Sequence, residues 1–198
     1  MKHITAVVAA SLALAACGNY SLVSPSRQSV QGRVTVETGI AWNKVNQRTS
    51  ESTIYSTTGP VETWTVDGEK LDSLVIFAGV ADGAPLLTLA DKTKSIGVFR
   101  GSMSASEVME LVDASLVTAA STAATKTRDL RPAKVGGVDG FRFEIDYALH
   151  DDIDRVLSAA GAIHNGKLYL ILFQGTSVYY YSKYLPEYER IVASASFS

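Results

Sequence analysis

The sequence predicts an α+β domain with a mostly antiparallel sheet of five to seven strands and two main helices. Residues 141–147 (FRFEIDY) alternate between apolar and charged side chains, which is typical of a strand with one solvated face. Asn165-Gly166 separates two apolar runs and tolerates the positive φ angles of a two-residue hairpin, so residues 155–164 and 167–174 should pair. A hairpin replaces the crossover that a parallel sheet requires, and helical patterns occur elsewhere in the chain.

One strand of this hairpin is expected at the centre of the sheet, and further strands are expected before the hairpin in the sequence. Residues 168–173 are apolar throughout, which favours a central strand covered on both faces. The other candidate strands are residues 34–38, 63–66 and 74–79, with weaker patterns at 95–100 and 126–130.

Two segments have helical patterns. Ser104 and Glu107 have the spacing of a capping box, and the apolar residues that follow recur at helical intervals through about residue 120. The second helix is predicted to begin near Pro186, because proline is tolerated in a first turn, and to continue to the C terminus.

The N-terminal segment has the features of a secretory signal. A charged start precedes an apolar run, and residues 1–16 are too short to span a bilayer of about 30 Å as a permanent helix. Leu14-Ala15-Ala16-Cys17 resembles the bacterial lipoprotein signal, with the only cysteine of the chain at the required position. The alternative is an ordinary signal peptide with an incidental cysteine.

This resemblance implies that the mature chain starts at Cys17 and carries a diacylglyceryl thioether, with fatty acyl chains such as palmitate holding it to a membrane. Position 18 is Gly and not the Asp that retains many Gram-negative lipoproteins at the inner membrane, so an outer-membrane location is expected. The periplasmic and surface faces both remain open. Residues 17–30 are expected to form a lipidated, flexible tether, and residues 31–198 a single domain.

Three parts of the sequence together resemble the PsbP-like α/β/α-sandwich superfamily. They are residues 136–143 (GGVDGFRF), residues 165–173 (NGKLYLILF), and a tyrosine-rich stretch leading to a final helix that ends at 194–197 (SASF). The resemblance implies two helical layers around a sheet. It also implies a binding or assembly role, because members lack a shared catalytic motif, and no functional residue is carried over.

Composition and motifs argue against several classes of function. The formal net charge is −2 and the sequence pI is about 5.9, so no basic surface for nucleic acid is expected. One cysteine and three histidines do not supply a structural zinc site. Common nucleophile and phosphate-binding motifs are absent from the sequence. We therefore predict no enzymatic activity, no catalytic residues, no metal site and no cofactor.

An acidic cluster at residues 150–155 (HDDIDR) is a candidate for chemistry. Its carboxylates and imidazole would suit a calcium site or an acid and base pair. The favoured interpretation is a solvated loop, because the spacing of a calcium loop is absent and Arg155 neutralises part of the charge.

A tyrosine cluster is the strongest candidate for a binding surface. Tyrosine has a large apolar ring and a polar tip, which suit glycan stacking or a protein interface. Packing of some of these rings in the core is the alternative, and Trp42 and Trp64 are expected in the core. The candidate residues are Tyr179, Tyr180, Tyr181 and Tyr184.

The sequence therefore favours a non-enzymatic lipoprotein that binds an envelope protein or a cell-wall partner. A small-ligand carrier with a cavity between sheet and helices is the first alternative. A hydrolase that uses carboxylates near residues 144–154 is the second.

Overall fold

A computed structural model describes residues 18–46, 55–57, 59–89, 97–120 and 124–198. The predicted signal at 1–16 and the predicted lipidation site Cys17 lie outside the described residues. The helices are α1 (Ala105–Ala120) and α2 (Tyr180–Ser194). The strands are β1 (Tyr20–Val23), β2 (Arg27–Val30), β3 (Val34–Glu37), β4 (Trp42–Val45), β5 (Tyr55–Thr57), β6 (Val61–Thr65), β7 (Asp72–Val80), β8 (Leu87–Leu89), β9 (Thr125–Val135), β10 (Val138–Ala148), β11 (Asp154–His164), β12 (Lys167–Thr176) and β13 (Ser196–Phe197).

The main sheet has eight antiparallel strands in the order β1-β4-β6-β7-β12-β11-β10-β9. The α+β class is confirmed, but the sheet exceeds the predicted five to seven strands. The described residues also form a three-stranded sheet, β13-β3-β2, and a two-stranded sheet, β5-β8. The strands β1, β2, β5, β8 and β13 were not predicted. Each has two to four residues, too few for an alternation of apolar and polar side chains to be recognised.

The predicted hairpin between β11 and β12 is confirmed. His164 pairs with Lys167, which leaves Asn165 and Gly166 as the two turn residues. Their φ angles are 50° and 70°, as a type I′ turn requires. This turn fixes the register of β11 and β12 in the interior of the sheet.

The sheet carries α1 on one face. Phe141, Phe143 and Ile145 of β10 point to this face and are buried with Val108 and Leu111 of α1. The capping box is formed: the Ser104 N–H donates to Glu107 Oε2 at 2.7 Å, and the Glu107 N–H donates to Ser104 Oγ at 3.4 Å. These contacts fix the start of α1 on the sheet.

Helix α2 and the three-stranded sheet cover the opposite face. Tyr188, Ile191 and Val192 are buried against apolar residues of β7, β11 and β12. The layers are therefore helix, sheet and helix. The predicted start near Pro186 is wrong, because Pro186 lies inside α2. The predicted end is also wrong, since α2 stops at Ser194 and β13 follows.

The segment expected as a flexible tether contains two strands. Val23 of β1 and Val30 of β2 are buried, and their apolar contacts hold this part of the chain against the domain. Of the weak strand candidate at 95–100, only residues 97–100 are described, and they contain a single bridge from Val98 to Pro85. Within the described part of the chain, neither helix is long and apolar enough to cross a membrane.

Candidate functional site

Three loops meet at one end of the main sheet, and two of them carry residues that the sequence singled out. Thr176 N donates to the carbonyl of Leu71 at 3.1 Å, and Ser177 N donates to the carbonyl of Asp154 at 2.9 Å. These bonds bring the loop before α2 beside the β6–β7 and β10–β11 loops. We call residues 66–71, 149–154 and 177–184 the tyrosine end.

Gly175 sets the position of the first turn of α2 on the sheet. A Cβ atom at this position would lie 2.6 Å from the backbone nitrogen of Tyr181. Only a residue without a side chain allows this close approach. The helix start therefore rests directly on β12, and the tyrosines project from a fixed backbone.

Tyr184 is largely buried and anchors α2 to the β6–β7 loop. Its hydroxyl donates to Asp67 Oδ2 at 2.5 Å, and Lys183 Nζ lies 3.0 Å from the same oxygen. The hydrogen bond from Tyr184 is the main cause that lowers the pKa of Asp67. The ring centroid of Tyr184 lies 6.2 Å from that of Trp42. These contacts therefore give Tyr184 a structural role.

Tyr181 is half-buried between the helix and the sheet. Its ring stacks on Phe173 with a centroid distance of 5.8 Å. Its hydroxyl lies 2.7 Å from Ser158 Oγ and donates to Glu144 Oε1 at 3.1 Å. Burial raises the pKa of Tyr181 to about 12, so the phenol stays protonated at neutral pH.

Tyr179 and Val178 form the exposed part of the cluster. Val178 is 90% exposed and Tyr179 is 55% exposed. Tyr180 is half-buried and meets Tyr179 edge to face at 5.0 Å. The Lys183 ammonium lies 5.3 Å from the Tyr179 ring centroid and 5.5 Å from that of Tyr180. An apolar patch with a cation beside it is thus held on a rigid helix start.

The acidic cluster joins this end through an ion pair. Arg155 is buried, and its Nη1 and Nη2 donate to the two oxygens of Asp151 at 2.9 and 2.7 Å. The guanidinium lowers the pKa of Asp151 to about 2. Within the part of the chain that the structure describes, no three acidic, histidine or cysteine side chains are grouped to hold a metal ion. The ion pair with Arg155 therefore gives Asp151 a structural role, which is to hold this loop in place.

The carboxylates of β10 are also paired. Arg128 of β9 contacts Glu144 and donates through Nε to Asp146 Oδ2 at 2.9 Å. Arg128 therefore holds both groups in ion pairs, and its own pKa is raised by the hydrogen bonds to Asp146. These ion pairs indicate a structural role for Glu144 and Asp146 and do not favour the hydrolase alternative.

An open depression beside the start of α1 bears on the carrier alternative. It has a volume of about 240 Å³. Ligand pockets usually have volumes of roughly 300–1,000 Å³, so this depression is small for a carrier site. It is lined by Met103, Ala105, Asp139, Gly140, Phe141 and Ile163.

The structure separates the four predicted tyrosines by their surroundings. Tyr184 is in the core, Tyr180 and Tyr181 lie at its boundary, and Tyr179 faces solvent. Val178, Asp67 and Lys183 also belong to this end, and no motif in the sequence marks them. Val178 directly precedes the tyrosines, but the position of Asp67 depends on a fold contact across more than one hundred residues.

The fold can be compared with solved structures. No protein-family model and no curated protein matches the chain. The solution structure of cyanobacterial PsbP (CyanoP) from Synechocystis sp. PCC 6803 has a TM-score of 0.52 and 12% identity, covering 93% of this chain and 99% of that one. The chain therefore has a PsbP-like fold.

A second solved structure is less similar to the chain. It is LpqN, which is involved in cell envelope biogenesis of Mycobacterium tuberculosis, with a TM-score of 0.35 and 10% identity. The alignment covers 93% of this chain and 87% of LpqN, but the score is too low to indicate a shared fold. At these identities no site residue of the PsbP-like fold is transferred to the tyrosine end.

Proposed function

We propose that the chain is an envelope-anchored bacterial lipoprotein that acts as a non-enzymatic binding or assembly module. The lipid on Cys17 would hold it in the membrane, most simply the outer membrane because position 18 is Gly. The tyrosine end would contact an envelope protein or a cell-wall partner. The observation that carries the proposal is the exposure of Val178 and Tyr179 on a helix start that is otherwise fixed.

Physical arguments support this surface as a binding site. Exposed aromatic and aliphatic side chains on a rigid backbone lose little conformational entropy on binding. Tyr179 is free of the core contacts of Tyr184, whereas the Lys183 ammonium beside it adds a polar contact at the rim. This arrangement matches the apolar centre and polar rim of protein interfaces.

The test is photocrosslinking of the full chain in bacterial cells that produce it. A photoreactive phenylalanine analogue replaces Tyr179 in one variant and Val117 of α1, also exposed, in the matched control. We expect an adduct from position 179 that is absent at 117 and is lost when Val178→Asp is added. Mass spectrometry of the adduct identifies a protein or a glycan.

The same preparation tests the anchor. Mass spectrometry of the N-terminal peptide should show an acylated Cys17 and no residues 1–16. Equal labelling from positions 179 and 117 would contradict the binding surface, and a processed chain without acyl groups would contradict the lipid anchor.

A further inference from the structure

Strand β1, at one edge of the main sheet, presents two apolar side chains to solvent. Tyr20 is 43% exposed and Leu22 is 70% exposed. They are two residues apart on a strand, so they project from the same face of the sheet. Val23 points the other way and is buried in the core under α2.

The position of β1 in the chain indicates what covers these side chains. Asn46 N donates to the carbonyl of Asn19 at 2.7 Å, so the chain follows the direction of β1 back to Asn19. Cys17 is three residues before Tyr20, and a fully extended chain advances at most about 3.6 Å per residue. The chain from Cys17 to Tyr20 can therefore span at most about 11 Å, which keeps a lipid on Cys17 close to β1.

We propose that the β1 edge of the sheet rests on the lipid bilayer, with Tyr20 and Leu22 in the layer between headgroups and acyl chains. This inference rests on the proposed lipidation of Cys17. The apolar faces of interfacial helices enter this layer by roughly 5–10 Å, and the exposed side chains of β1 would reach a similar depth. Tyrosine suits it because the ring is apolar and the hydroxyl remains hydrated. The contact would fix the orientation of the domain on the membrane.

The sheet register places the tyrosine end away from the anchor. Val23 pairs with Trp42, the last residue of β1 with the first of β4. The ring of Trp42 packs beside Tyr184, so β1 runs toward the tyrosine end. Gly18 and Asn19 precede Tyr20 at the opposite end of β1, which leaves the tyrosine end available to a partner.

The test uses the full lipidated chain in vesicles of phosphatidylethanolamine and phosphatidylglycerol. Because Cys17 is blocked by lipid, a single introduced cysteine can carry an environment-sensitive dye. The test variant is Leu22→Cys, and the matched control is Val178→Cys at the tyrosine end. We expect a blue-shifted dye at position 22 that brominated lipids quench, and a dye at position 178 that stays as in water.

Two outcomes separate this inference from the proposed function. An acylated Cys17 with a dye at 22 as water-exposed as the dye at 178 overturns the docking inference and leaves the lipid anchor intact. A processed chain without acyl groups, seen by mass spectrometry before reconstitution, overturns the anchor and the docking together.

Discussion

Tyr184→Phe removes one hydroxyl and keeps the buried ring. In the structure that hydroxyl donates to the Asp67 carboxylate at 2.5 Å. A hydrogen bond to a charged group contributes about 1.5–3 kcal/mol to stability. The Asp67 side chain is partly solvated, and Lys183 keeps contact with it, so we expect a loss of about 1–1.5 kcal/mol. For a chain of this size the melting temperature should fall by about 2–6 °C.

The assay for this variant is thermal and urea unfolding, with Tyr179→Phe as the matched control. Tyr179 is exposed, so its variant should stay within about 0.5 kcal/mol of the parent. A carboxyl titration by NMR gives a second measurement: the pKa of Asp67, which Tyr184 lowers, should rise in Tyr184→Phe. Equal stability of the two variants, together with an unchanged Asp67 pKa, would refute the reasoning.

Two further substitutions test how the tyrosine end is held together. Gly175→Ala places a methyl group 2.6 Å from the Tyr181 nitrogen, so it should destabilise the domain by about 1–3 kcal/mol in urea unfolding, whereas Ser177→Ala should have little effect. Arg155 lowers the pKa of Asp151 from 3.8 to about 2, so this carboxylate stabilises the fold above pH 4 and loses that contribution as the pH falls toward 2. The variant Asp151→Asn should therefore be less stable than the parent at neutral pH and should lose less stability between pH 4 and 2. Urea unfolding at each pH measures both effects. Parallel stability curves for variant and parent would contradict this expectation.

The elements that the sequence predicted well are those whose signals are local. The Asn165-Gly166 turn, the alternation along β10 and the capping box at Ser104 each depend on neighbouring residues, and the structure contains all three. The strands at 34–38, 63–66, 74–79 and 126–130 also occur, with shifted ends. Local chemistry is enough to place these elements.

The predictions that were wrong concern elements whose positions depend on tertiary contacts. At the start of α2 the cap residue Tyr179 makes no side-chain capping bond, so the sequence has no N-terminal capping signal there. Pro186 is the one residue nearby that is typical of a first helical turn, and it misplaces the predicted start. Contacts of Tyr184 with Asp67 and of the Gly175 backbone with the first turn determine the start instead. Likewise, β13 pairs with β3, which lies far away in the sequence, so this two-residue strand depends on a distant partner.

The tyrosine cluster combines a structural part with an exposed part, and this determines how its function can be tested. Removing all four rings would also remove the Tyr184 bond to Asp67 and the stacking of Tyr181 on Phe173. Loss of partner binding in such a variant would not distinguish unfolding from a lost contact. Val178 and Tyr179 project beyond the helix start, so substitutions there change the surface while leaving the packing of α2 on β12 in place. A binding defect in Val178→Asp at unchanged melting temperature is therefore the result that assigns the surface a role in recognition.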